Sequence, residues 1–138
     1  MAANHPGAER ADVELRLPAD GAYVSVLRTT TAGLAARLDF TIDDIEDLRI
    51  AVGEACAMVL PEALAGSSLQ AAFHLAPTEL TVSVAVEAGP AAEPDYDSFA
   101  WQVLTTLATV ATVETLDGWF TVTMTMHSVL ADLPVADD

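Results

Sequence analysis

Val13, Leu15 and Leu17 alternate with Glu14 and Arg16, and a period of two predicts a strand with one buried face. Pro18 and Gly21 end it. From residue 22 to 38 the period changes: Val24, Leu27, Thr31, Leu34, Ala35 and Leu38 fall on one helical stripe, with Arg28 and Arg37 beside it. A second helix starts clearly. Thr41 is placed to cap it with Asp44 three residues on, and Phe40 and Ile45 are placed for a hydrophobic staple. Ile45, Leu48, Val52, Ala55 and Val59 form its buried stripe. Asp43, Asp44, Glu46 and Asp47 lie in its first turns, where the helix dipole favours negative charge. Pro61 cannot continue the hydrogen-bond ladder and should end the helix.

Two alternating runs follow Gly66: Leu69, Ala71, Phe73, Leu75, then Leu80, Val82, Val84, Val86. The short Pro77-Thr78 link between them predicts a hairpin. Residues 87 to 97 read as an acidic loop with two prolines. Residues 98 to 109 read as a third helix with Phe99, Val103 and Leu107 inward. A second hairpin is predicted from Val110 to Thr115, the Asp117-Gly118 turn, and Phe120, Val122, Met124 and Met126. Every strand has one apolar face and one face of Thr, Ser, Glu or His. That suits an α/β two-layer sandwich, a mostly antiparallel sheet with helices on one face. A single domain over residues 12 to 130 is expected, with tails at 1 to 11 and 131 to 138.

Hydrophobic residues are 52% of the 138, ample for one core, though much of that total is alanine and valine. Charge is lopsided. The net charge is −16, and the cations are Arg10, Arg16, Arg28, Arg37 and Arg49. Affinity for nucleic acid comes from cations displacing counterions along the phosphates, so DNA and RNA are excluded as partners. An anionic membrane is excluded for the same reason. A basic partner is favoured, with plain solubility as the competing account of the charge. The one cysteine, Cys56, cannot form an internal disulfide. No apolar run opens the chain behind a basic stretch, and none approaches the roughly 20 residues of a membrane span. The cytoplasm is the expected compartment.

The segment from Asp47 to Leu60, DLRIAVGEACAMVL, together with the element order, resembles the anti-sigma regulatory factors of the GHKL (Bergerat-fold) superfamily. The resemblance spans residues 12 to 128. It is best over Tyr23 to Leu60, including the Leu-Asp-Phe-Thr junction and the Glu-Ala-Cys run. It implies a Bergerat-like sandwich and a switch-protein kinase that holds a sigma factor until an anti-anti-sigma protein releases it. In such proteins the second helix carries a Glu that positions or deprotonates the reacting water or hydroxyl. Four residues later stands an Asn that holds Mg²⁺ on the nucleotide.

Glu54 occupies the first of these positions and Met58 the second. Residues four apart share a helix face, but a thioether cannot replace an amide oxygen for Mg²⁺. The Asp-x-Gly-x-Gly loop that binds adenine is represented by Glu87-Ala88-Gly89-Pro90-Ala91, with Glu87 for the Asp and Gly89 as the surviving glycine. The glycine-rich cover over the phosphates is replaced by Asp97-Ser98-Phe99-Ala100-Trp101, and Asp95 and Asp97 would repel a triphosphate. The degenerate pocket implies no cofactor, and at most weak ATP and Mg²⁺ binding. Phosphoryl transfer, which needs metal and charge neutralisation, is not expected.

The resemblance puts the partner surface on the first helix, where Arg28 stands at the position of an arginine that contacts both sigma factor and anti-anti-sigma protein. A guanidinium there can grip a carboxylate bidentately; the competing account is a surface ion pair with Glu14 or Asp20. Glu54 has a bland alternative as well, facing solvent beside Arg49. Cys56 reads as a small buried filler, and His74 and His127 lie on polar strand faces. The implied function is sigma-factor sequestration relieved by a STAS-type anti-anti-sigma partner in stress response or development, with a homodimer expected. The alternatives are an active ATP-dependent serine kinase acting on an anti-anti-sigma protein, or a binding module for another regulatory protein.

Overall fold

The computed structural model describes residues 10–129. The expected tails therefore fall outside the described residues, apart from Arg10 and Ala11.

The observed order is β1 (Val13–Pro18), a 3-10 turn (Gly21–Tyr23), α1 (Val24–Arg37), α2 (Ile42–Val59), a second 3-10 turn (Leu60–Glu62), β2 (Ser68–Ala76), β3 (Glu79–Glu87), α3 (Phe99–Leu107), β4 (Val110–Leu116) and β5 (Trp119–His127). The five strands form one sheet in the order β1-β2-β3-β5-β4, and every neighbouring pair is antiparallel. The three helices form the second layer. This is the two-layer α/β sandwich that the alternation predicts.

Local chemistry explains the boundaries. The Thr41 hydroxyl accepts a hydrogen bond from the Asp44 N–H at 3.2 Å, satisfying one of the free donors at the start of α2. Phe40 is buried and Ile45 packs on the core, as a staple requires. Pro61 follows the last turn of α2 and forces the switch to 3-10 geometry. Asp117 and Gly118 both have positive φ (53° and 84°), the requirement of the tight turn between β4 and β5.

The core lies between α2 and the middle of the sheet. Leu48, Val52 and Val59 of α2 and Leu27 of α1 are fully buried, facing Phe73, Val82, Val84, Val122 and Met124. Thr31 is also buried on the α1 stripe, and its hydroxyl donates to the Leu27 carbonyl at 2.8 Å. The opposite face of the sheet is less polar than its alternation suggests. Ala72 and Ala85 are fully buried there, shaded by larger neighbours. Hydroxyl pairs tie β3 to β5 on the same face, Thr81 to Thr125 at 2.9 Å and Ser83 to Thr123 at 3.0 Å. Thr121 lies beside them with its hydroxyl buried and without a hydrogen-bond partner.

One expectation fails. Phe99 does not face inward; it is 75% exposed, and the fully buried residue of α3 is Leu104. Among the described residues no helix is long and apolar enough to cross a membrane.

Candidate functional site

Two helices and one loop frame a cavity of about 200 Å³ at the C-terminal end of α2. Met58 and Pro61 form one wall, Glu62, Glu93 and Asp95 the rim, and Ser98 the start of α3. Each wall has a local cause. Met58 stands on the last turn of α2, half-buried against the core. The loop from Ala88 onward is pinned at its root: the Ala88 N–H donates to the Gly118 carbonyl at 2.8 Å, and Ala88 bridges Ala63. Farther on, the Asp95 carboxylate accepts the Asp97 N–H at 3.0 Å, and the Ser98 hydroxyl caps α3 by accepting the Trp101 N–H at 3.1 Å. Tyr96 meets Trp101 edge-on with ring centroids 5.2 Å apart, which ties the loop to the helix.

The chemistry of this cavity is acidic. Three carboxylates line it and no arginine or lysine does. A polyphosphate entering it would meet like charge at short range. From α2 the space is faced by Ala57 and by the thioether of Met58, a poor ligand for a hard cation. Among the described residues no group of three or more His, Cys, Asp or Glu is placed to hold a metal ion. The donor set does not suit a magnesium–nucleotide complex.

The positions singled out in the sequence are only partly brought together. Glu54 lies one turn before Met58 on α2, half-buried, and does not line the cavity. Among the described residues its side chain has no ion pair; Arg49 instead approaches Glu46 at 4.0 Å. Glu87 ends β3, exposed, opposite Trp119. Gly89 lines a separate cavity of about 180 Å³ together with Pro90, Thr115, Asp117 and Trp119. A Cβ at Gly89 would meet Leu64 at 4.0 Å, an ordinary contact, so the backbone there does not require glycine. Glu62 and Glu93 are rim residues that the motif reading did not single out. The signal for Glu93 is the acidic loop from 87 to 97, whereas Glu62 has none beyond the net acidity of the chain.

Arg28 sits on the second turn of α1, half-buried, with its side chain laid across Gly53 of α2. Its Cδ and Nε are the atoms a Cβ at Gly53 would meet, both at 4.0 Å. The Nε is buried without a hydrogen-bond partner. Neither ion pair of the competing account forms: Asp20 uses its carboxylate to accept the Ala22 N–H at 2.9 Å, and Glu14 makes no ion pair among the described residues. Cys56, nearly inaccessible, lies close enough to feel this cation. Burial pushes its thiol up to about 12, and Arg28 pulls weakly in the opposite direction. A thiol so far from ionisation is a packing group rather than a nucleophile.

Comparison with known proteins adds names to this geometry. No family model matches the chain. A protein named Serine-protein kinase RsbW from Halalkalibacterium halodurans is 45% identical over 64 residues, 46% of this chain and 40% of that protein. Proteins of the same name from Bacillus velezensis and Bacillus thuringiensis are 47% and 45% identical over 51 residues, 37% of this chain and 32% of theirs. The matched stretch thus spans less than half the length of these relatives. A solved structure of the RsbU and RsbW domains of Rv1364c from Mycobacterium tuberculosis superposes with a TM-score of 0.63 at 17% identity, covering 84% of this chain and 32% of that one. That likeness concerns the fold. The resemblance drawn from the helix pair is borne out by these relatives.

Proposed function

We propose that this protein is an anti-sigma factor of the bacterial cytoplasm that works by binding rather than by phosphorylation. It sequesters an RNA polymerase sigma factor, covering surfaces the polymerase needs, and a STAS-type anti-anti-sigma protein displaces it by docking on an overlapping face. The observation that carries the reading is Arg28, a cation on α1 with no carboxylate partner among the described residues. A guanidinium left without an internal partner on a protein of net charge −16 is suited to receive a carboxylate from outside.

Loss of the kinase step is supported by the cavity. Met58 supplies no oxygen ligand, and Glu62, Glu93 and Asp95 oppose a triphosphate. Release is then governed by the amount or state of the competing partner.

The test has two arms. Co-expression with the sigma factors of the host should yield one stable complex, and Arg28→Ala should weaken it by about tenfold or more, the loss expected for a charge-assisted bidentate bond. Failure of every sigma factor to co-purify refutes the binding half. Calorimetric titration with Mg-ATP should show no tight binding. The name carried by the relatives favours a second reading, a serine kinase acting on the anti-anti-sigma protein. Magnesium-dependent ATP uptake followed by label transfer to a partner serine would establish it in place of the first.

A further inference from the structure

On the outer side of the helical layer, a groove of about 420 Å³ runs between α2 and α3. Ile50 forms one bank; Phe99, Val103 and Leu107 form the other, with Gln102 and Thr106 between. Two of these side chains are conspicuously spent on solvent: Phe99 is 75% exposed and Ile50 45%. Local structure does not need Phe99. The helix start is already fixed by Ser98, and the core contact of α3 is made by Leu104. Thr106 in the groove is satisfied within the helix, its hydroxyl donating to the Gln102 backbone carbonyl at 2.8 Å.

The electrostatic setting is one-sided. α3 has no charged residue, and no lysine or arginine follows Arg49 in the sequence. On α2, Glu46, Asp47 and Glu54 lie within one turn of Ile50 on either side, and Asp97 precedes α3. Arg49 is directed at Glu46, and Arg28 of α1 lies over Gly53, one turn from Ile50, with its Nε buried.

We propose that this groove docks an amphipathic helix of a protein partner, its apolar stripe seated between Ile50 and Phe99 and its lysines or arginines set against the acidic rim. An apolar centre with an anionic border is complementary to that kind of helix. The length agrees: nine residues of α3 extend about 14 Å, room for apolar anchors on two to three turns. A second copy of this chain fits poorly, because two such rims would bring like charges together. The inference rests on the groove lining and its acidic neighbours, and it holds whether or not the partner at Arg28 is a sigma factor.

The experiment is a titration of the isotope-labelled full chain, followed by amide chemical shifts. The probe is an amphipathic leucine–lysine helix of about 18 residues, long enough to be helical, in about 0.15 M salt. Controls are the leucine–glutamate helix and a lysine-matched peptide with serine for leucine. Saturable shifts confined to residues 46 to 54 and 97 to 107 are expected. Phe99→Ser and Ile50→Ser, both exposed and charge-neutral, should each weaken binding by about tenfold. The serine peptide should bind at least as weakly as those variants bind the leucine peptide. Shifts spread over the whole acidic surface, or unchanged affinity in both variants, would overturn the proposal. So would a dimer that Phe99→Ser converts to monomer, since that assigns the groove to a second copy.

Discussion

Two glycines interrupt the helical layer, and replacing each by alanine tests how Arg28 is seated. Gly33 lies inside α1 and Gly53 inside α2; neither has a positive φ, so alanine fits both backbones. Glycine in a helix interior is less favourable than alanine by about 1 kcal/mol, because its unfolded chain has more freedom to lose. At Gly33 a new Cβ meets nothing within 4 Å, so Gly33→Ala should gain the full amount. At Gly53 it meets the Cδ and Nε of Arg28 at 4.0 Å, ordinary van der Waals contact. Gly53→Ala should therefore gain as much, with a few tenths of a kcal/mol more from packing against the arginine stem. Each gain corresponds to a rise of about 4 °C in Tm for a chain of this size. The assay is denaturant unfolding followed by far-UV circular dichroism, with equal m-values required in both variants. If Gly33→Ala stabilises while Gly53→Ala destabilises, Arg28 presses on α2 more closely than 4.0 Å allows. If both destabilise, the propensity reasoning itself is refuted.

Thr41→Ala removes the α2 cap and should lower stability by about 1 kcal/mol in the same assay. Thr121→Val should raise it by about 1 kcal/mol, because the hydroxyl is buried without a partner and the methyl replaces it at equal volume. Phe73→Ala, at a fully buried site under the helices, should cost about 3–5 kcal/mol, enough to unfold a marginal domain. Cys56 makes a pH prediction. Its native pKa of about 12 is above the ordinary 9.0, so the folded state keeps its proton after the unfolded chain has released it. Stability from this group is complete below about pH 9 and falls between pH 9 and 12, by about 1.4 kcal/mol per pH unit. Cys56→Ala should remove that alkaline slope in pH-dependent unfolding, and thiol reagents at neutral pH should label the native protein only on unfolding.

Most of the fold is legible in the chain because each long element carries several agreeing signals. For α2 these are a cap at Thr41, a staple, an acidic first turn, a stripe of period 3.6 and Pro61 as a stop. For β3 and β5 the alternation is unbroken over four apolar positions. The third helix is misread at its edge. FAWQVLTTL sets Gln102, Thr105 and Thr106 on one side and Ala100, Leu104 and Leu107 opposite, so its period favours Leu104, and Phe99 lies at the border of the apolar side, where its size alone suggests burial. Likewise the sheltering of Ala72 and Ala85 depends on cross-strand neighbours that strand alternation does not reveal. The candidate site divides along the same line. Met58 is found through the family resemblance, as the position four residues after Glu54 on one helix face. Gly89 falls in a different cavity because the path of the loop is set by the long-range bonds of Ala88 to Gly118 and Ala63, which no local pattern encodes.

The ladder between β1 and β2 joins residues 13–18 to residues 68–73, so both long helices are enclosed in one loop of chain. The other hairpins close locally, through two-residue turns at Pro77-Thr78 and Asp117-Gly118. During synthesis β1 therefore leaves the ribosome about 50 residues ahead of its partner, a wait of about 3–10 s at ordinary elongation rates. For that interval Val13, Leu15 and Leu17 form an unpaired apolar edge, and its pairing has to wait for a large loop to close. Folding of the nascent chain should be most vulnerable to aggregation then, and slowing translation between α2 and β2 should lengthen the exposure.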